Sequence, residues 1–319
     1  MGSLVYHAGA LGDFITTLPA MRVWRRLHPA ERITLLGKPR LASVAGRFAS
    51  WDEVWDVESP RLARLFRPEQ PDPLGTTALE SAMEPVDLSC FSSALLFSPP
   101  SSPLRANLHA LGVRGIQWQA PFPSSAMPII DYHLSMFPSL EISEDERIPL
   151  VDPGELPQLS RSSASATTER TVDTRGPTVA TPGPTVALHP GSGSPAKNWP
   201  LARFRELAAE LEREGQRVAW IAGPAEEGLS LEGDGAVWRE LPLANLCAKL
   251  ARCRLYVGND SGVTHLAAAA GVPTLALFGA SDPRIWAPKG RRVRTLCAAK
   301  PPEIPLSAVL EDCRVLIGG

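Results

Sequence analysis

The sequence predicts an α/β protein of two doubly wound domains facing a central cleft. Three observations carry this expectation. Strand-like and helix-like segments alternate through each half of the chain, which implies parallel sheets covered by helices on both faces. A stretch poor in core-forming residues separates the halves. Several strands run straight into glycine-bearing turns, where sheets of this kind bind ligands.

In the first half, Leu4–His7 reads as a buried strand and Asp13–Leu27 as a helix. Ile33–Leu36 and Val54–Val57 follow as strands, with Ala94–Phe97 and Ile116–Trp118 as weaker ones. The second half gives strands at Val186–His189, Arg217–Ala222, Leu255–Val257 and Thr274–Phe278. Helices at Leu201–Glu214, Leu243–Ala251 and Thr264–Ala270 alternate with them. Pro200 suits the first position of its helix. Pro305–Ile317 is expected to form a helix that can cross back to the first domain. Both halves are therefore Rossmann-like, spanning 1–151 and 184–319.

Between them, 152–183 reads as a flexible low-complexity linker. From Ser160 to Ala187 there is no Leu, Ile, Met or aromatic residue, so little there could offset the entropy of ordering. The pentapeptide GPTVA occurs twice, at 176–180 and 183–187, and the second copy leads into the strand at Val186.

With 319 residues, 44% apolar and 21% charged, the chain has the composition of a soluble globular protein. A net charge of −2 excludes a globally basic nucleic-acid binder. The best apolar run, 263–278, is interrupted by His265, Gly271 and Pro273, so no membrane span is expected. The first residues run at once into a strand rather than a leader, which predicts a cytoplasmic location. Five cysteines without a C-x-x-C pair suggest neither a disulfide framework nor a zinc site.

Three constellations carry chemistry. His7-Ala-Gly-Ala-Leu-Gly-Asp13 is a strand end turning through glycines onto an acid, and Asp13 is either a helix cap or a site carboxylate. His189-Pro-Gly-Ser-Gly-Ser-Pro-Ala-Lys-Asn-Trp-Pro200 offers backbone N–H groups, the hydroxyls of Ser192 and Ser194, the open backbone of Gly193, and Lys197, one of five lysines in the chain. It is a small phosphate cradle or an ordinary glycine-rich loop. Val257-Gly-Asn-Asp260-Ser-Gly-Val-Thr-His265 is a strand ending on an acid. Ser261 and Gly262 lie at a helix start, where free N–H groups and the dipole favour an anion. Asp260 then points at hydroxyls, and His265 donates to a phosphate oxygen or packs.

These motifs, with Phe278-Gly-Ala-Ser-Asp-Pro283, resemble glycosyltransferase family 9, the lipopolysaccharide heptosyltransferase family with the GT-B fold. By that resemblance Asp13 is the catalytic base and Lys197 meets the donor's phosphates, within the same loop as Ser192, Gly193 and Ser194. Glu227 holds the donor ribose, with Glu226 a close competitor. The backbone around Leu241 recognises adenine. Asp260 meets the transferred sugar, and Ser261, Gly262 and His265 the diphosphate.

The implied activity is inverting, metal-independent transfer of a sugar, heptose from an ADP-linked donor, to a lipopolysaccharide core or related glycan. The nucleotide sugar is a co-substrate, and no further cofactor is implied. No two aspartates stand two apart, so the D-x-D metal site of other transferases is missing. Seven Lys or Arg residues between Arg22 and Arg47, against the single acid Glu31, suggest an anionic glycolipid acceptor and peripheral contact with the inner membrane surface. A solvated arginine-rich face is the alternative. A nucleotide-sugar epimerase, an NAD-dependent dehydrogenase and a non-catalytic nucleotide-binding paralogue are the competing functions.

Overall fold

The computed structural model describes residues 1–67, 88–152, 154, 186–223, 226, 231 and 235–318. Most of the proposed linker lies outside them. Asp152, at its start, packs on the first domain: its N–H donates to the Val44 carbonyl at 2.8 Å, and its carboxylate accepts from the Arg47 N–H at 3.0 Å.

The first domain is built on β1 (Gly2–His7), β2 (Arg32–Gly37), β3 (Glu53–Asp56), β4 (Phe91–Phe97) and β5 (Gly115–Gln119). They pair in the order β3-β2-β1-β4-β5, every pair parallel. Parallel strands need crossovers. The first is α1 (Leu11–Leu27), and α2 (Pro39–Ala42), α3 (Leu104–Ala110) and α4 (Ile129–Leu134) are the further α-helices among the described residues.

The second domain carries β6 (Val186–His189), α5 (Leu201–Arg213), β7 (Val218–Ala222), β8 (Ala236–Arg239), α6 (Leu243–Leu250) and β9 (Leu255–Asn259). After them come α7 (Gly262–Ala269), β10 (Thr274–Phe278), α8 (Pro283–Trp286), β11 (Val293–Cys297) and α9 (Leu306–Gly318). Its order is β11-β10-β9-β6-β7-β8, again all parallel. In each sheet the strand order reverses beside the first strand of its domain. That places crevices outside the ends of β1 and β6, as expected for doubly wound sheets.

The central strands of both sheets are buried on both faces, which their continuous apolar runs foretold. Two expectations are corrected. The final helix does not cross back: Val309, Leu310, Cys313 and Leu316 bury into the core of the second domain beside Trp199 and Phe204. Pro200 is the residue before α5 rather than its first helical residue. The domains are joined by an apolar seam in which Phe14 and Ile15 of α1 share one cluster with Leu266 and Ala267 of α7. Among the described residues no helix is long and apolar enough to cross a membrane.

Candidate active site

Asp13 stands at the third position of α1, because the helix starts at Leu11, two residues earlier than its sequence suggested. Its carboxylate accepts the Ala10 N–H at 3.1 Å, so it satisfies one of the helix's free donors and also faces the cleft. Burial raises its pKa. The Ala10 N–H and Lys197 pull the other way, while Asp260 adds to the rise.

Across the cleft, the loop from Pro190 to Trp199 is pinned at both ends by one buried side chain. Asn259 Nδ2 donates to the Pro190 carbonyl at 2.7 Å, and its Oδ1 accepts the Trp199 N–H at 2.9 Å. The sequence reading passed over Asn259. An amide among Leu255, Tyr256 and Val257, all buried, was the signal that could have exposed it. Within the loop, Ser192 Oγ lies 2.6 Å from Asn198 Oδ1 and accepts the Ser194 N–H at 3.2 Å. The turn at Pro195–Lys197 then aims Lys197 back, and its Nζ donates to Asp260 Oδ2 at 2.7 Å.

Ser261 caps α7, which starts at Gly262 rather than at Thr264. Its hydroxyl sits 3.3 Å from His189 Nδ1 and 3.1 Å from Thr264 Oγ1. The helix starts of α1 and α7 meet here: a Cβ on Gly262 would lie 2.9 Å from Gly12 N and from Leu11 Cβ. Only glycine allows that approach. His265 is buried and its pKa is lowered to about 4, chiefly by desolvation, with Asp260 opposing and Lys197 adding to the shift.

The cleft contains three adjoining cavities. A central one of about 320 Å³ brings together Asp13, Lys197, Asp260, Ser261, Gly262 and His265, with Gly193 on its wall. A second, of about 310 Å³, is lined by His189, Ser192, Glu226, Trp238, Leu241 and Leu246, among others. It also reaches Gly193, Ser261 and Gly262, so the two cavities share a wall. A third, of about 260 Å³, lies on the first domain's side of Asp13.

Not every candidate is brought in. Ser194 lines none of these cavities, and its N–H and carbonyl are spent on holding its own turn. Glu227 lies outside the described residues. Glu226 is buried, its Oε2 accepts the Gly223 N–H at 2.6 Å, and its Oε1 lies 3.6 Å from His189 Nε2. Burial would raise its pKa, but His189 and the backbone donors outweigh burial and hold it below the ordinary value. Gly191 is required beneath it, since a Cβ there would fall 1.5 Å from Glu226 Oε1.

Most of the basic run between Arg22 and Arg47 is paired with neighbouring groups of the first domain. Arg22 donates to the carbonyls of Glu146 and Ile148 at 2.6 and 2.7 Å. Arg25 pairs with Asp52, Arg26 with Glu146, Arg32 with Glu53 and Arg47 with Asp152. The cationic face expected of this run is thus largely paired with acids and carbonyls among the described residues, with Arg26, Arg32 and Arg47 still exposed in their ion pairs. Among the described residues no three His, Cys, Asp or Glu side chains are grouped to hold a metal ion.

Residues 152–309 match the model of glycosyltransferase family 9 (heptosyltransferase). The chain is 29% identical over 174 residues to lipopolysaccharide heptosyltransferase 2 of Salmonella typhimurium, covering 50% of this chain and 43% of that one. It is 40% identical over 113 residues to lipopolysaccharide heptosyltransferase 1 of Pseudomonas aeruginosa, covering 33% and 31%. The matches thus span less than half the length of these curated relatives. In structure it resembles the E. coli ADP-heptose lps heptosyltransferase II with a TM-score of 0.67 at 19% identity, over 99% of this chain and 98% of that one. At that identity the likeness speaks for the fold, which is GT-B.

Proposed function

From the match of residues 152–309 to glycosyltransferase family 9, we propose that the chain transfers heptose from an ADP-linked donor to a hydroxyl of a lipopolysaccharide core or related glycan, with inversion and without a metal. The observation that carries this reading is the central cavity. There a carboxylate from one domain, Asp13, faces a lysine and a helix start from the other.

The geometry supports the following roles. Adenine lies in the second cavity against Trp238, Leu241 and Leu246, and the buried acid at its floor is Glu226. The ribose is held by Glu226 or its neighbour Glu227. The diphosphate runs along the shared wall, where Ser192, Gly193, Ser261 and Gly262 supply hydroxyls and backbone N–H groups. Lys197, held at the cavity wall by Asp260, completes the positive environment. The sugar then projects towards Asp260 and Asp13.

In the reaction, the acceptor oxygen forms a bond to the anomeric carbon as the bond from that carbon to the diphosphate oxygen breaks. Asp13 takes the acceptor's proton. Its raised pKa makes it a stronger base than an exposed carboxylate. Negative charge grows on the leaving diphosphate, where Lys197 and the N-terminus of α7 stabilise it most as it develops. His265, buried and neutral, serves as a hydrogen-bond donor rather than a charge. A lysine and a helix dipole supply what a metal ion supplies elsewhere, so a chelator should leave turnover unchanged. The setting we propose is the cytoplasmic face of the inner membrane.

A thermal-shift series with nucleoside diphosphates tests the donor, and ADP should stabilise the protein selectively. Incubation with ADP-heptose then separates the functions. Transfer only in the presence of a glycan acceptor supports the proposal, whereas conversion of donor without acceptor marks an epimerase. Absence of any ADP effect overturns the reading.

A further inference from the structure

The third cavity departs in character from the other two. It lies within the first domain and is lined by His7, Asp13, Thr17, Phe97, Phe122 and His133. Asp13 and Phe122 also line the central cavity, so whatever fills the third one abuts the reacting centre. His7 is 3% exposed, and its Nδ1 has no hydrogen-bond partner among the described residues. A buried ring nitrogen beside a cavity is a standing demand for a polar ligand. Phe122 is 54% exposed and meets Trp286 of the opposite domain edge-on, with ring centroids 5.5 Å apart. It forms an aromatic rim across the cleft.

Among the described residues that line it there is no Lys or Arg. Both histidines stay neutral at physiological pH. His7 is lowered to about 3 by burial, aided by His133 and Lys38, and His133 to about 4 by burial. The remaining charge is the carboxylate of Asp13. An acidic group entering here would lose its water and meet Asp13, while Lys38 and Lys197 act on His7 and Asp13 only from beyond the described lining. A polyol ring meets the opposite conditions. Neutral imidazoles both donate to and accept from hydroxyls. The apolar C–H face of a sugar suits an aromatic rim.

We propose that this cavity binds an uncharged sugar unit of the acceptor, whose hydroxyl is directed at Asp13 by His7 and whose ring rests on Phe122. A carboxylated or phosphorylated unit is disfavoured there. The inference rests on the transfer reading above and concerns only the unit that receives the new sugar. Acidic groups elsewhere on a glycolipid would lie outside this cavity.

The test uses the full chain saturated with ADP and three matched pairs of methyl glycosides. Glucose, galactose and mannose form the neutral members, and their uronates form the acidic ones. Binding is measured by saturation-transfer NMR and calorimetry at neutral pH. At least one neutral glycoside should bind, at least about tenfold more tightly than its uronate, the factor corresponding to one unpaired charge only partly relieved by solvent. Phe122→Ala should weaken that glycoside several-fold while ADP still binds, showing that the fold is intact. His7→Gln, which keeps polar atoms, should retain more affinity than His7→Leu. Uronates binding as tightly as their partners, or no glycoside binding while ADP does, would overturn the inference and leave the transfer reading standing. Failure of ADP itself to bind would overturn the transfer reading instead.

Discussion

The two domains share a sheet plan and divide the chemistry unequally. The second domain presents the features proposed to hold phosphate: a pinned loop, a helix start and one lysine held by an aspartate at 2.7 Å. The family match falls here, on residues 152–309. The first domain presents a single carboxylate over a cavity of aromatic rings and neutral histidines. A diphosphate can be held by few arrangements of N–H groups and charge, so its binding site reads as a compact motif. The proposed acceptor pocket is a matter of shape, assembled from residues as far apart as His7 and His133. On the proposed function, the domain that is easier to recognise is therefore the one that says less about the acceptor.

The sharpest way to break this division is to exchange one side chain in each domain. Asp13→Asn keeps the size and a hydrogen-bonding oxygen but removes the base, so turnover should fall by about 10²–10⁴. ADP affinity should barely change. Lys197→Ala should weaken ADP as well as turnover, since its charge meets phosphates in both ground and transition states. Steady-state kinetics with calorimetry separates the two, and equal losses of ADP affinity would erase the contrast. The acid limb of the wild-type pH profile belongs to the same comparison. Burial holds Asp13 above the ordinary carboxylate range, so activity should decline as pH drops through that raised value, earlier than for an exposed aspartate.

Acid should next distinguish the domains in stability. His7 and His133, both in the first domain, sit at about 3 and about 4 when folded, against 6.5 for the free group. Between those values the unfolded chain binds more protons than the folded one, so stability is lost as pH falls from 6.5 towards the folded values. The second domain carries one such ring in the site, His265, at about 4. The loss should be on the order of several kcal/mol and larger in the first domain. Amide exchange at pH 7 and pH 4.5 should show protection falling further in β1 and β4 than in β6 and β9. Equal loss in the two sheets would contradict the assignment.

A smaller effect is expected at Asn259. Removing its amide in Asn259→Ala leaves the Pro190 carbonyl and Trp199 N–H unpaired, at a cost on the order of 2–3 kcal/mol. The loop bearing Ser192, Gly193 and Lys197 should then lose its fixed geometry. ADP should bind more weakly, while the glycoside site in the first domain should be unaffected. Unchanged ADP binding in a destabilised protein would show that the loop is ordered by its own turn.

The central strands were legible because burial on both faces leaves an apolar run that has few other readings. β6 and β10 have the boundaries their sequences indicated. β8 and β11 were not, and both are edge strands: Ala236–Arg239 and Val293–Cys297 are largely exposed and show neither a run nor an alternation. α3 and α4 span seven and six residues, too short for helical periodicity to emerge. At the site, Asp13, Lys197 and Asp260 could be proposed because each belongs to a recognisable motif. Asn259 was hidden inside a strand. Phe122 and His133 could not be found without the fold, since nothing in the local sequence of either one points to the cavity they share with His7.

Backbone strain offers the finest test of the division. Glu240 has φ of 44°, the one non-glycine with positive φ among the described residues; in the first domain positive φ falls on glycines. The residue sits between β8 and α6, its N–H donates to the Ala222 carbonyl at 2.9 Å, and it lines the second cavity immediately before Leu241. A side chain in this conformation is strained, and such strain persists where the surroundings require that residue. Glu240→Gly removes the clash of Cβ with its own backbone but also loosens the unfolded chain, so the net gain should be about 0.5 kcal/mol or less. If Glu240 is kept because it serves the donor, the same change should weaken ADP binding while raising the melting temperature slightly. A gain in stability with ADP affinity intact would mean that the strained turn serves only to carry the chain from β8 into α6. The donor domain would then hold its ligand without storing strain for it.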